Sequence, residues 1–181
     1  MAESDRALLI LDMVADRVAA AGPLATTIVR YVQGELRYFR ERGRPVIFAC
    51  TAPDLDEPPQ IIQELTPRSD ERVMWKSAPS AFFDTDLGET LKELEIARLT
   101  LVGLETHTSV LLTAADAVAR GFQVVVPDPC VCAADPDDHK FALRQIREVW
   151  PRWPNSSQPV DVDIDETGRL RRATPEDVTR R

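Results

Sequence analysis

The chain has 181 residues, of which 44% are hydrophobic and 29% charged, a composition that fits one globular domain with a sizeable core. Its formal net charge of −8 repels phosphate and argues against a nucleic-acid or anionic-membrane partner. Cys50, Cys130 and Cys132 have neither disulfide-framework nor zinc-site spacing, and only two histidines accompany them, so no cofactor is expected. No apolar run is long enough to span a bilayer and no basic, apolar leader is present, which predicts a cytoplasmic protein.

Ala7 to Leu11 is an apolar run between charged residues, the pattern of a buried parallel strand, and Asp12 stands at its carboxyl end. Apolar residues at Ile28, Tyr31, Val32, Leu36 and Phe39 predict a helix over Leu24 to Arg42 that stops at Gly43. A second strand follows from Pro45 to Cys50. Thr51 to Arg72 is polar and Pro-rich, a long excursion over the sheet edge with one helical turn. Val73 to Trp75 reads as a short strand ending at Lys76, and Ser80 to Leu94 as a helix with Leu87, Leu91 and Leu94 on one face.

Leu99 to Gly121 holds the sharpest change of pattern. An apolar strand breaks at Gly103, turns polar from Glu105 to Ser109, and takes a helical period through Val110, Leu111, Ala114, Ala115 and Val118. Ser109 is thereby placed at a helix N-terminus, where free N–H groups and the dipole favour negative charge. A nucleophile position and a simple Thr108 or Ser109 helix cap both stay open here. Phe122 to Val126 is a further strand, followed by a Pro-rich acidic turn and a helix over Asp138 to Val149.

Strands alternating with helices predict a doubly wound α/β fold, a mostly parallel sheet with helices on both faces, over residues 1–150. Residues 151–181 read as a C-terminal extension. Val160, Val162 and Ile164 alternate there with acidic residues, as in a half-buried strand at the sheet edge or a subunit interface. Thr174-Pro175 offers a helix start. Ligands of open α/β sheets bind beyond the carboxyl ends of the strands, where Asp12, Lys76 and Ser109 all stand.

Three stretches carry a wider likeness: LLILDM at Leu8 to Met13, WKSAPSAFFDTDL at Trp75 to Leu87 and GLETHTSVLLTAADAVARGF at Gly103 to Phe122. With a weaker fourth at Pro127 to Leu143, their order and spacing resemble the isochorismatase-like cysteine hydrolase superfamily. The resemblance implies a Rossmann-like three-layer fold, a small-molecule substrate and a homo-oligomer, dimer or tetramer. It implies hydrolysis of an amide or carbamoyl C–N bond through an acyl-enzyme. Asp12 would be the general base, Lys76 the charge stabiliser and position 109 the nucleophile. It also implies a non-proline cis peptide at Leu104–Glu105, aiming the N–H groups of Glu105 and Ser109 into an oxyanion hole.

The departure is at position 109, which is Ser where those hydrolases have Cys. A thiol with a reference pKa near 8.5 becomes a thiolate far more readily than a hydroxyl loses its proton. Three readings stay open at this point: a Cys-to-Ser replacement, a natural serine with weak activity, or an isochorismatase-type vinyl ether hydrolysis by Asp12 without a nucleophile. A non-catalytic binding member of the fold is the alternative of another class. Nicotinamidase-like members hold a metal through D-x-H and a further His, whereas this chain offers Asp54, Asp56 and Glu57, so no metal is expected. Phe82, Phe83 and His107 are candidate pocket residues, with one of the two phenylalanine rings expected in the core and the other at the pocket, and His139 is expected to hydrogen-bond locally.

Overall fold

A computed structural model describes residues 5–54 and 56–149. The expected strand at 160–164 and the helix start at 174–175 lie outside the described residues. Strands β1 (Arg6–Leu11), β2 (Val46–Thr51), β3 (Arg72–Lys76), β4 (Arg98–Leu104) and β5 (Gln123–Val125) form a parallel sheet in the order β3-β2-β1-β4-β5. A two-residue strand, β6 (Val131–Cys132), adds to the end of β4 through Gly103 and Leu104. The helices are α1 (Ala15–Ala20), α2 (Pro23–Glu41), α3 (Leu87–Glu93), α4 (Leu111–Ala119) and α5 (Pro136–Arg144).

The apolar run of β1 is continuous because both faces of the sheet are covered. Ala7, Leu9 and Leu11 pack with Leu87 and Leu91 of α3, Ala114 and Ala117 of α4, and Leu143 of α5. Leu8 and Ile10 face the other way, onto Ile28, Val32, Leu36 and Phe39 of α2. This is the doubly wound three-layer fold that the alternation predicted. Strand order reverses between β1 and β4, which opens a crevice at their carboxyl ends.

Local chemistry accounts for where the elements differ from expectation. Helix α2 starts at Pro23, the first helical position, after Gly22 at a positive φ of 66°. Helix α1 carries no buried residue and so has no apolar period by which to find it. The helix expected over Ser80 to Leu94 is confined to Leu87–Glu93, because Asp84 takes a left-handed conformation (φ 54°) and the Thr85 hydroxyl donates back to the Ala81 carbonyl. Helix α5 begins two residues earlier than expected, at Pro136. There the Asp135 carboxylate accepts from the Asp137 N–H at 2.7 Å and from the Asp138 N–H. It passes at its far end into a wide π-helical turn over Gln145–Val149.

The Pro-rich excursion is anchored to both α2 and the segment after β1. Its one helical turn is the 3-10 turn Gln63–Leu65, with Leu65 buried. Ile62 donates its N–H to the Met13 carbonyl at 3.1 Å and Ala15 donates to Gln60 at 2.9 Å. Arg40 of α2 closes the far end with a two-pronged bond to Glu71, both at 2.7 Å. No helix among the described residues is long and apolar enough to cross a membrane.

The approach of β1 to β4 at the crevice depends on Gly103, the register partner of Leu11. Its φ is 124°, and a Cβ there would stand 2.0 Å from the Leu11 carbonyl oxygen. Gly103→Ala is therefore expected to destabilise the fold by about 3 kcal/mol or more, read from urea unfolding against the parent. Stability within 1 kcal/mol of the parent would refute the close approach.

Candidate active site

Each site residue is delivered by a strand end. Asp12 follows β1 directly in a left-handed conformation (φ 55°), and its carboxylate meets the end of β2 at Thr51. Lys76 ends β3, two strands away from β1, and its register partner on β2 is Thr51. The long lysine stem carries the ammonium past Thr51 to Asp12, whose Oδ2 lies 3.1 Å from Nζ. Ser109 arrives from the other side, on the turn between β4 and α4, with Oγ 3.0 Å from Lys76 Nζ and donating to Asp12 Oδ2.

All three are shielded from water: Asp12 and Lys76 are 0% exposed and Ser109 is 3% exposed. Two buried charges are tolerable only where their polar atoms find partners. The Thr51 N–H donates to Asp12 Oδ1 at 2.6 Å, and Lys76 also donates to Thr51 Oγ1 at 2.8 Å and to the Ala78 carbonyl at 3.3 Å. Burial pushes the Asp12 carboxyl up, but the Lys76 ammonium and the bonds from Ser109 and Thr51 outweigh it and hold it below its usual value. For Lys76 burial prevails over the attraction of Asp12, and its pKa is lowered.

The Ser109 hydroxyl therefore caps nothing; it is committed to Asp12 and Lys76. Ser109 lies in a π-helical turn over Thr106–Val110 that runs straight into α4. The Leu104–Glu105 peptide is trans, which corrects the cis bond expected there, since the described residues contain no cis peptide. One left-handed residue reverses the chain instead: Glu105 has φ 62° and ψ 56°, and its carbonyl accepts from Thr108 at 3.0 Å and Val110 at 3.2 Å.

The remaining candidates separate. Phe82 does not line the crevice: it is buried and stacked on Phe122, with ring centroids 6.0 Å apart, at the amino-terminal end of β5. Apolar burial draws it to the opposite edge of the sheet. Phe83 is 62% exposed. His107 faces Asp138 of α5, with Nε2 3.7 Å from its carboxylate, and so does not serve Ser109. The three cysteines are buried, and burial pushes the Cys50 thiol up to about 12 and that of Cys132 up to about 11. Asp54 accepts the Asp56 N–H within its own turn at 2.9 Å, and both are exposed.

Two groups go beyond the sequence reading, which named His139 only as forming a local hydrogen bond. Thr51 anchors both charges, and the strand-end rule that singled out Asp12 would have found it, because it closes the neighbouring parallel strand. The second group lies behind the Ser109 turn. Buried Thr106 bonds His139 Nδ1 at 3.0 Å, His139 Nε2 faces Asp128 at 3.5 Å, and Asp128 pairs with Arg147 at 2.6 Å. His139 and Arg147 hold the Asp128 carboxyl below its usual range.

The isochorismatase domain model matches residues 6–152. An uncharacterised isochorismatase family protein, YaaI of Bacillus subtilis, is 27% identical over 170 residues, covering 82% of this chain and 92% of that one. The solved structure of nicotinamidase PncA from Bacillus subtilis is similar with a TM-score of 0.75 and 28% identity, covering 86% of this chain and 98% of the other. N-carbamoylsarcosine amidase from Thermoplasma acidophilum is similar with a TM-score of 0.72 and 26% identity, covering 90% and 99%.

The Asp12–Lys76 pair sets a pH dependence of stability. A carboxyl held below its unfolded value of 3.8 contributes stability that is complete above that pH and is lost as the pH falls through the folded value. Lys76→Met removes the largest of the influences that oppose burial and leaves the bonds from Ser109 and Thr51, so Asp12 is expected to titrate higher than in the parent. The parent should be more stable than the variant at pH 7 by about 3–5 kcal/mol. Carboxyl-carbon NMR titration of Asp12 and urea unfolding check both, and an Asp12 titration unmoved by the substitution would refute the coupling.

Proposed function

The chain belongs to the isochorismatase family, and we propose that it is a hydrolase of a small amide or carbamoyl compound, with Ser109 in the nucleophile position. The observation that carries the reading is the convergence of Asp12, Lys76 and Ser109, with bonds of 3.1 and 3.0 Å from Lys76 to the other two, in a water-shielded crevice. The amidase names of the two similar solved structures support the bond class.

In this reading Ser109 Oγ attacks the carbonyl carbon while its proton passes to Asp12 Oδ2, the atom to which it already donates. Lys76 stabilises the negative charge that develops. The C–N bond then breaks as Asp12 returns the proton to the departing nitrogen. Water, activated by the same carboxylate, hydrolyses the acyl-enzyme and regenerates Ser109.

The state of Asp12 favours this over vinyl ether hydrolysis. A general acid must carry a proton at working pH, whereas Lys76, Ser109 and Thr51 together hold Asp12 ionised. The same lowered basicity makes Asp12 a weak base for a hydroxyl, so slow turnover by Ser109 follows. A thiol here would need far less help to ionise.

Ser109→Cys is expected to release ammonia from small amides at least about 100-fold faster than the parent chain, with an acyl-enzyme burst. Adding Asp12→Asn or Lys76→Met should remove the gain by about 10²–10⁴-fold. A folded Ser109→Cys variant that turns over none of nicotinamide, carbamoyl amino acids or simple ureides would sink the hydrolase reading in favour of a binding role.

A further inference from the structure

A second pair of opposite charges joins the segment that follows Asp12 to the turn that carries Ser109. Arg17 lies on α1, the short helix that closely follows Asp12, and Glu105 is the left-handed residue that opens the Ser109 turn. Arg17 Nη1 is 3.7 Å from Glu105 Oε1, with the two side chains 36% and 29% exposed. This pair differs in kind from the inner one. At 3.7 Å it is beyond hydrogen-bond distance, and among the described residues Glu105 is the one ion-pair partner of Arg17.

A guanidinium presents five N–H donors in a planar fork, and one distant carboxylate oxygen leaves most of them open to a ligand. No residue of α1 is buried, so the helix does not commit Arg17 to the core. Its charge is nevertheless felt inside, because repulsion from Arg17 is among the causes that lower the Lys76 pKa after burial. Lys76 is committed to the reacting centre and does not anchor a separate carboxylate of the substrate. Its ammonium is enclosed by Asp12, Thr51, Ala78 and Ser109 and reaches no solvent.

We propose that Arg17 and Glu105 form the specificity subsite of this crevice, and that the substrate is a small amide or ureide bearing its own carboxylate, gripped by the Arg17 fork while its N–H groups face Glu105. The proposal rests on the amidase reading above and narrows it to acidic substrates. A carboxylate can make two parallel bonds to the fork in place of one 3.7 Å contact. A neutral aromatic amide has no partner for Arg17 and would bury the ion pair against an apolar ring, so the subsite also selects against it.

Isothermal titration of the chain with N-carbamoylglycine, its methyl ester and nicotinamide tests the assignment without requiring turnover. The acid is expected to bind at least tenfold more tightly than the ester. Arg17→Gln should collapse that preference to under twofold, and Arg17→Lys, which keeps the charge but not the fork, should restore part of it. Equal binding of acid and ester, a preference that survives Arg17→Gln, or binding of neither compound overturns the subsite. Ammonia release by Ser109→Cys separates the two readings: turnover without preference for the acid overturns the subsite alone, and turnover of none of the three compounds overturns the amidase reading.

Discussion

A lysine and an aspartate, both sealed from water, sit where three strand ends meet, and the surrounding structure is shaped to keep them there. Bringing two charges out of water costs several kcal/mol for each before their attraction is counted. The arrangement persists because Asp12 and Lys76 face each other and Thr51 satisfies one of each, its N–H on the carboxylate and its hydroxyl on the ammonium. That geometry requires β1, β2 and β3 to be parallel and in their observed register. It also requires β4 to approach β1 closely enough to bring Ser109 in from the other side, which only a glycine at position 103 permits.

The pair also governs what Ser109 can do. An ion pair inside the crevice supplies a strong local field with almost no net charge, so it orients the hydroxyl more than it ionises it. Asp12 is kept basic enough to receive a hydrogen bond and too weakly basic to take the proton readily. The outer pair, Arg17 and Glu105, is looser and half-exposed, and so remains available to something that enters. Inner charges held by the fold and outer charges left to the ligand is a division consistent with a site that binds before it reacts.

Support for the Ser109 turn comes from behind as well as from the crevice. Thr106, three residues ahead of Ser109, is tied through His139 and Asp128 to Arg147 on the turn that follows α5. Glu105 closes the same turn with its carbonyl. The turn is thus gripped on both sides, and the direction of the Ser109 hydroxyl follows from that grip.

Much of this was legible in the chain itself. Continuous apolar runs such as Ala7 to Leu11 mark strands covered on both faces, and alternation with helical periods leads to a parallel sheet. From there the strand-end rule alone points to Asp12, Lys76 and Ser109. What the sequence could not specify is everything that depends on neighbours brought together by folding. Thr51 stands at a strand end as Asp12 does, but its role as a bridge exists only because parallel register sets it between Lys76 and Asp12. Phe82 reads as a pocket residue by its nearness in sequence to Lys76, yet apolar packing draws it onto Phe122 at the opposite edge. Glu105 in a left-handed conformation, where a cis bond was expected, depends on contacts that the turn makes with α5 and β4. Residue order determined which chemistry arrives at the crevice, through local periodicity. Tertiary packing decided which atoms face each other there, because burial and register act between segments far apart in the chain.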